Sequence, residues 1–289
     1  MIESDATNEV IEALDKKLDT WKPTYPAWCD PALSREERIN SVRVDFHPCP
    51  ICQESCGYAE WRADRYGFGF CHCRCDDCEL VFNCQPPSPA WYANFYASGT
   101  YRKLVSAYHG RDVMATIEQE QEAYAIRLSK RLPKLPQSFR ILDAGGSTGT
   151  VSKVIAQAKG GFATVLDPSP EHSDSPFTEY EQGSLETWEP RHKYNLVLLC
   201  QTIDHLLEPR LCLEKIRGLL ASDGLFFVDI LDVEQEVAGK GWQQTLKIDH
   251  PFYFSDKSAR LLLAATGFEI VDSWESAKNH FGYLCKGRV

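Results

Sequence analysis

From residue 139 onward, short apolar runs alternate with longer stretches of mixed polarity. The runs over 140–143, 162–166, 195–200 and 225–230 have the length of buried strands, and 150–159, 210–220 and 256–266 read as the helices between them. A piece around Gly183 is less regular. An earlier helix is expected over 112–132, with Met114, Ile117, Ala125 and Leu128 on one side and Pro133 and Pro136 ending it. Such alternation predicts an α/β fold with a doubly wound, mostly parallel sheet. The chain closes on strand-like runs at 268–274 and 281–286, with no room between them for a crossover helix, so they must pair antiparallel.

Upstream the pattern changes. Residues 58–62 and 68–73 read as two strands of a ribbon, joined by Gly67 and Gly69. Pro86, Pro87 and Pro89 form a stiff segment, followed by the unusually aromatic stretch 91–101. The resulting division is a helical lead over 1–45, a small ribbon-like module over 46–92, an aromatic and helical linker over 93–137, and the α/β domain over 138–289. No internal repeat or low-complexity tract interrupts it.

Composition narrows the function classes. With 289 residues, 43% hydrophobic and 25% charged, the chain suits one large domain plus a module. A net charge of −10 argues against a surface built to neutralise phosphates. Residues 1–20 mix Glu3, Asp5, Glu9, Glu12 and Asp15 with Lys16 and Lys17, so no secretory signal is visible, and no apolar run is long enough to insert in a membrane. The expected location is cytoplasmic, where twelve cysteines point to metal ligation or burial rather than disulfides.

Eight of those cysteines lie between Cys49 and Cys84. Two pairs, Cys49-Pro-Ile-Cys52 and Cys75-Asp-Asp-Cys78, have the spacing that lets four thiolates close a tetrahedral structural zinc site. Cys56, Cys71, Cys73, Cys84, His47 and His72 are left over, as small buried side chains or bystanders; the alternation of Cys71, Cys73 and Cys75 keeps a second ion open. Cys29, Cys200, Cys212 and Cys285 fit core packing. The module is acidic, with Arg62, Arg65 and Arg74 against Glu54, Glu60, Asp64, Asp76, Asp77 and Glu79, which speaks against nucleic-acid docking.

The stretch 141–149 runs an apolar strand into Asp143 and then a glycine-rich turn that opens a helix. Glycines there let a ligand lie directly against main-chain atoms beside unpaired helix N–H groups. The next strand ends in Asp167, placed to accept hydrogen bonds from ribose hydroxyls. Ala144, Gly146 and Gly149 also satisfy a degenerate dinucleotide pattern, but a carboxylate at Asp143 would repel a pyrophosphate. Gly145, Gly146, Ser147 and Gly149, with Asp143 before them, instead resemble the first motif of class I S-adenosylmethionine-dependent methyltransferases.

From about residue 46 to the C-terminus the chain resembles bacterial members of that class that carry an N-terminal zinc-binding module, including sugar C-methyltransferases and enzymes of glycan or natural-product pathways. The motifs are the two cysteine pairs, Leu142-Asp-Ala-Gly-Gly-Ser-Thr-Gly149, Leu166-Asp-Pro-Ser169, Asp204-His205, and Asp249-His-Pro-Phe-Tyr-Phe-Ser255. The resemblance implies a Rossmann-like methyltransferase sheet behind a zinc-ribbon-like module, with S-adenosylmethionine and structural zinc as cofactors. It places Asp143, Gly145, Gly146, Ser147 and Gly149 around the methionine and adenosyl moieties, and Asp167 with Pro168 at the ribose. Ser184 and Leu185 would border the adenine and Gln201 the methyl group. Tyr96 and Tyr101 would close over the cofactor or pack between domains.

His205 and His250 match histidines facing the acceptor, as bases assisted by Asp249, against the plainer roles of capping a helix and anchoring the Pro251 turn. His109, His172, His192 and His280 have no such placement. Lys247 stands where sugar C-methyltransferases have a tyrosine, which favours O-methylation, with the lysine on a phosphate or carboxylate of the substrate. The implied acceptor is a saccharide or saccharide-linked intermediate; RNA methylation and a non-catalytic scaffold are the competing readings.

Overall fold

The computed structural model describes residues 49–288 except 55–57, 85 and 170–173. The helical lead expected over 1–45, together with Cys29, His47, Cys56 and His172, lies outside the described residues.

Seven strands form the main sheet: β4 (Arg140–Ala144), β5 (Phe162–Asp167), β6 (Thr178–Gln182), β7 (Tyr194–Leu199), β8 (Leu220–Leu231), β10 (Phe268–Ala277) and β11 (His280–Gly287). Their order is β10-β11-β8-β7-β4-β5-β6, parallel from β8 to β6, with the last two strands antiparallel as expected. The parallel strands are covered on both faces, which is why they read as continuous apolar runs. Ile141, Leu196, Leu198 and Phe227 face one core beside α3 (Met114–Arg131) and α4 (Thr150–Lys159). Leu142, Val197, Leu199 and Phe226 face the other, beside α5 (Pro209–Leu219) and α7 (Asp256–Ala265). Strand order reverses between β4 and β7, and a ligand crevice opens at the carboxyl ends of the strands there.

Two elements depart from the expectation. The irregular piece before Gly183 is β6, an edge strand whose polar sequence hides it from an apolar-run argument. Residues Val233–Thr245 form α6, started by Asp232, whose carboxylate accepts from the Gln235 amide at 3.0 Å, and interrupted at Gly241, where φ is 77°.

The ribbon strands β1 (Tyr58–Ala63) and β2 (Gly69–Arg74) pair antiparallel, and β2 pairs with β3 (Val81–Asn83). The fourth strand of this sheet, β9 (Phe252–Tyr253), comes from the far end of the chain, with Val81 opposite Tyr253 and Phe82 opposite Phe252. Ile51, Leu80 and Phe82 accordingly share one hydrophobic core with Ile230, Phe252 and Leu262. Over the ribbon lie α1 (Pro89–Ala97) and α2 (Thr100–His109), whose Phe95 and Leu104 pack with Tyr66, Phe68 and Ile248. No described helix is long and apolar enough to cross a membrane.

Candidate active site

The loop from β4 to α4 is shaped by what lies beneath it. A Cβ at Gly146 would sit 2.6 Å from Asp143 Cγ, and one at Gly145, where φ is +72°, would overlap the Thr202 side chain. Both positions therefore require glycine for close approach within the protein itself. Asp143 is buried, and neither of its carboxylate oxygens has a hydrogen-bond partner among the described residues. Burial pushes its pKa up to about 6; the nearby Ser152 opposes this, but its hydroxyl is turned to the Gly149 carbonyl at 3.2 Å. Asp167 caps the next strand end, accepting from the Ser147 amide at 2.8 Å and from the Ser169 amide at 2.9 Å. Those bonds fix the plane of the carboxylate.

Neighbouring elements complete this edge of the sheet. The Gly183 amide donates to the Asp167 carbonyl at 3.1 Å, bringing Ser184 and the buried Leu185 beside the strand end, and Gln182 donates to the Pro168 carbonyl at 3.2 Å. Gln201 follows β7 with φ of 51°, a conformation held by its amide donating to the buried Asp229 at 2.6 Å. Tyr124 donates to the same carboxylate at 2.9 Å. From α2, Arg102 reaches over the loop and donates to the Ser147 hydroxyl at 3.2 Å.

Beyond β7 a second group assembles. His205, in a single 3-10 turn, has its ring 4.3 Å from that of His250, centroid to centroid. His205 Nδ1 lies 2.8 Å from the Tyr96 hydroxyl and 3.1 Å from the Asp249 carbonyl. Tyr101 packs its ring 5.8 Å from the His205 ring. His250 is buried, with Nδ1 2.7 Å from Asp204 and Nε2 3.1 Å from Lys247 Nζ. The Asp249 carboxylate is farther from His250, at 3.4 Å, and meets hydrogen-bond geometry with no described group. Burial pushes the His250 pKa down to about 4, although Asp204 pulls the other way. Burial works against the charge of Asp204 too, yet His250 and His205 hold its carboxyl well below the usual range. At neutral pH this is an Asp204 anion backing a neutral His250 imidazole.

A family model described as a methyltransferase domain matches residues 117–273. The chain belongs to this family. It is a methyltransferase, and solved structures share its fold. One is a chain of the complex between the Haloferax volcanii Trm112 methyltransferase activator and the putative methyltransferase, with a TM-score of 0.53, 14% identity, and coverage of 62% of this chain and 95% of that one. Another is human N-acetylserotonin methyltransferase in complex with S-adenosylmethionine, with a TM-score of 0.52, 16% identity, and coverage of 71% and 60%. A third, TnmH, has a TM-score of 0.53, 17% identity, and coverage of 70% and 62%. No curated protein sequence matches the chain.

In the ribbon of this methyltransferase, Cys49, Cys52, Cys75 and Cys78 bring their sulfurs within 4.8 Å of one another. The Cys49–Cys78 and Cys52–Cys75 sulfur distances are both 3.4 Å, far longer than a disulfide and near the edge of about 3.8 Å for a tetrahedron of zinc–thiolate bonds. Each pair sits on a tight turn closed by a residue with positive φ, Gln53 at 65° and Glu79 at 67°. Of the other module cysteines, Cys84 lies with its sulfur 3.3 Å from the Cys71 carbonyl and Cys73 joins the core. His72 stacks on Trp242 at 5.0 Å.

Sequence reasoning did not assign roles to Asp204, Arg102 and Asp229. Asp204 was signalled by its place before His205; the other two became legible only once α2 and β8 were seen to reach the loop. For the methyltransferase loop, Gly146→Ala must displace either the loop or Asp143, lowering stability by about 1–3 kcal/mol. Urea unfolding that left the midpoint unchanged would contradict this packing account.

Proposed function

We propose that this S-adenosylmethionine-dependent methyltransferase acts on a hydroxyl of a saccharide or saccharide-linked intermediate, with His205 taking the acceptor proton. The observation that carries the donor assignment is Asp143, a buried carboxylate whose oxygens meet hydrogen-bond geometry with no described residue, beneath a glycine loop at the reversal of strand order. A cationic ligand satisfies such a group, whereas a pyrophosphate would be repelled. In this reading Gly145, Gly146, Ser147 and Gly149 form the wall around the donor and Asp143 accepts from its ammonium. Arg102 pairs with its carboxylate, Asp167 with Pro168 holds the ribose, and Ser184 with Leu185 borders the adenine. Gln201 and Tyr101 flank the transferring group.

The bound donor supplies an electrophilic sulfonium methyl. The remaining work belongs to the protein, which aligns the acceptor in a dry pocket and removes its proton. With Nδ1 of His205 directed to the Tyr96 hydroxyl and the Asp249 carbonyl, Nε2 is the ring atom left to take that proton. His250 has Nε2 3.1 Å from Lys247 Nζ and Nδ1 2.7 Å from Asp204, and so flanks the acceptor side as a positioned neighbour, with the Asp249 carboxylate beside it to stabilise positive charge. The net charge of −10 supports a small acceptor over RNA. The four cysteines are proposed to hold one structural zinc, which would close a ribbon with little core of its own. The chain is read as cytoplasmic, and the modular boundaries at 45, 92 and 137 as the limits of lead, ribbon, linker and catalytic domain.

Radiolabelled methyl transfer from S-adenosylmethionine into nucleotide-sugars, free glycans and RNA tests the acceptor class. Label should enter a saccharide, and His205→Ala should slow it by a hundredfold or more; incorporation into RNA alone would replace the reading. Because Asp143 must be ionised to meet an ammonium and its pKa lies at about 6, affinity for S-adenosylhomocysteine should be flat above neutrality. It should then weaken roughly tenfold by pH 5, measured by calorimetry. Elemental analysis should find one zinc per chain, lost in Cys52→Ser.

A further inference from the structure

We propose that Asp64, in the ribbon, is a positioning residue for the acceptor side of the active site, because its carboxylate holds the backbone that carries Lys247, Asp249 and His250. The inference rests on reading that run as the acceptor side.

Asp64 is fully buried at the turn after β1. One carboxylate oxygen accepts from the Tyr66 amide at 2.9 Å and the Phe68 amide at 2.8 Å, closing the ribbon's own turn. The other oxygen accepts from the Ile248 amide at 2.7 Å. A single carboxyl group thus ties the turn of the ribbon to the middle of the run 247–251; burial pushes its pKa up to about 7, against the three amides that favour the ionised form.

That run needs outside support, since among its residues none belongs to a strand or helix. The Tyr92 hydroxyl donates to the Ile248 carbonyl at 2.9 Å, and Tyr96 donates to the Asp249 carbonyl at 3.2 Å. The Asn83 amide donates to the Pro251 carbonyl at 2.8 Å, and Tyr253 bonds both backbone groups of Lys247. Apart from Tyr253, which lies in β9 and pairs with β3, these partners all belong to the ribbon or to α1. The Ile248 side chain is itself sealed among Tyr66, Phe68, Phe95 and Leu104. Residues on either side of it supply the 3.1 Å Lys247–His250 and 2.7 Å His250–Asp204 contacts, which a shift of about an ångström would break. Among the described residues, the hydrogen bonds of Asp64 reach the run 247–251 and the ribbon's own turn, and none of them goes to the donor loop.

A carboxylate is specifically required. Three N–H donors converge on Asp64 from two directions, and an asparagine would have to present its own NH2 to at least one of them. In the full-length Asp64→Asn variant, amide exchange at Ile248 should accelerate at least about tenfold. The imidazole nitrogen resonances of His205 and His250 should shift, while S-adenosylhomocysteine affinity by calorimetry stays within about twofold. If the variant does not fold, Tyr92→Phe removes one bond to the same residue and should move exchange and resonances in the same direction. Unchanged exchange and resonances in a folded variant would overturn the proposal, as would loss of S-adenosylhomocysteine affinity in parallel with them. A parent protein that bound no S-adenosylhomocysteine would instead defeat the donor assignment, leaving the exchange and resonance results to decide this one.

Discussion

The packing of a glycine turn directly onto a buried carboxylate governs the carboxyl edge of the sheet. Asp143 stands next to last in β4 at the reversal of strand order, and Gly146 lies so close above it that no side chain fits between. The carboxylate there is buried, and its oxygens meet hydrogen-bond geometry with no described residue, which is costly for a charged group. Other features of this edge follow the same geometry. Asp167 is oriented by the loop's own Ser147 amide, and Gln201 is locked across the crevice by Asp229.

The histidine cluster is built differently. Its histidines stand on a 3-10 turn and on an irregular run, and their order comes from hydroxyls and amides delivered by the aromatic helix and the cysteine ribbon. One half of the site is thus written into the sheet and the other is imposed from outside it.

The main sheet was legible in the sequence because parallel strands buried on both faces leave continuous apolar runs, as at 195–199 and 225–230, and because two terminal runs without a crossover can only pair antiparallel. β6 was not legible, since the edge strand Thr-Glu-Tyr-Glu-Gln gains its place from backbone pairing rather than burial. α6 was hidden by Gly239 and Gly241, which dilute its helical signal. In the site, the glycine loop and Asp167 could be placed from spacing alone. The tie between Tyr96 and His205, the reach of Arg102 and the seat of Asp64 under Ile248 could not, because each joins segments that only the folded chain brings together.

The pairing of β3 with β9 also orders events during synthesis. A ribosome releases the cysteine ribbon early, yet the strand that covers its open edge lies near the end of the polypeptide. Until that strand emerges, the nascent ribbon exposes the unpaired main-chain groups of Val81–Asn83 together with the apolar face of Phe82, an invitation to pairing with other chains. Cys49, Cys52, Cys75 and Cys78 all precede that strand, so the gathering of their sulfurs does not have to wait for it.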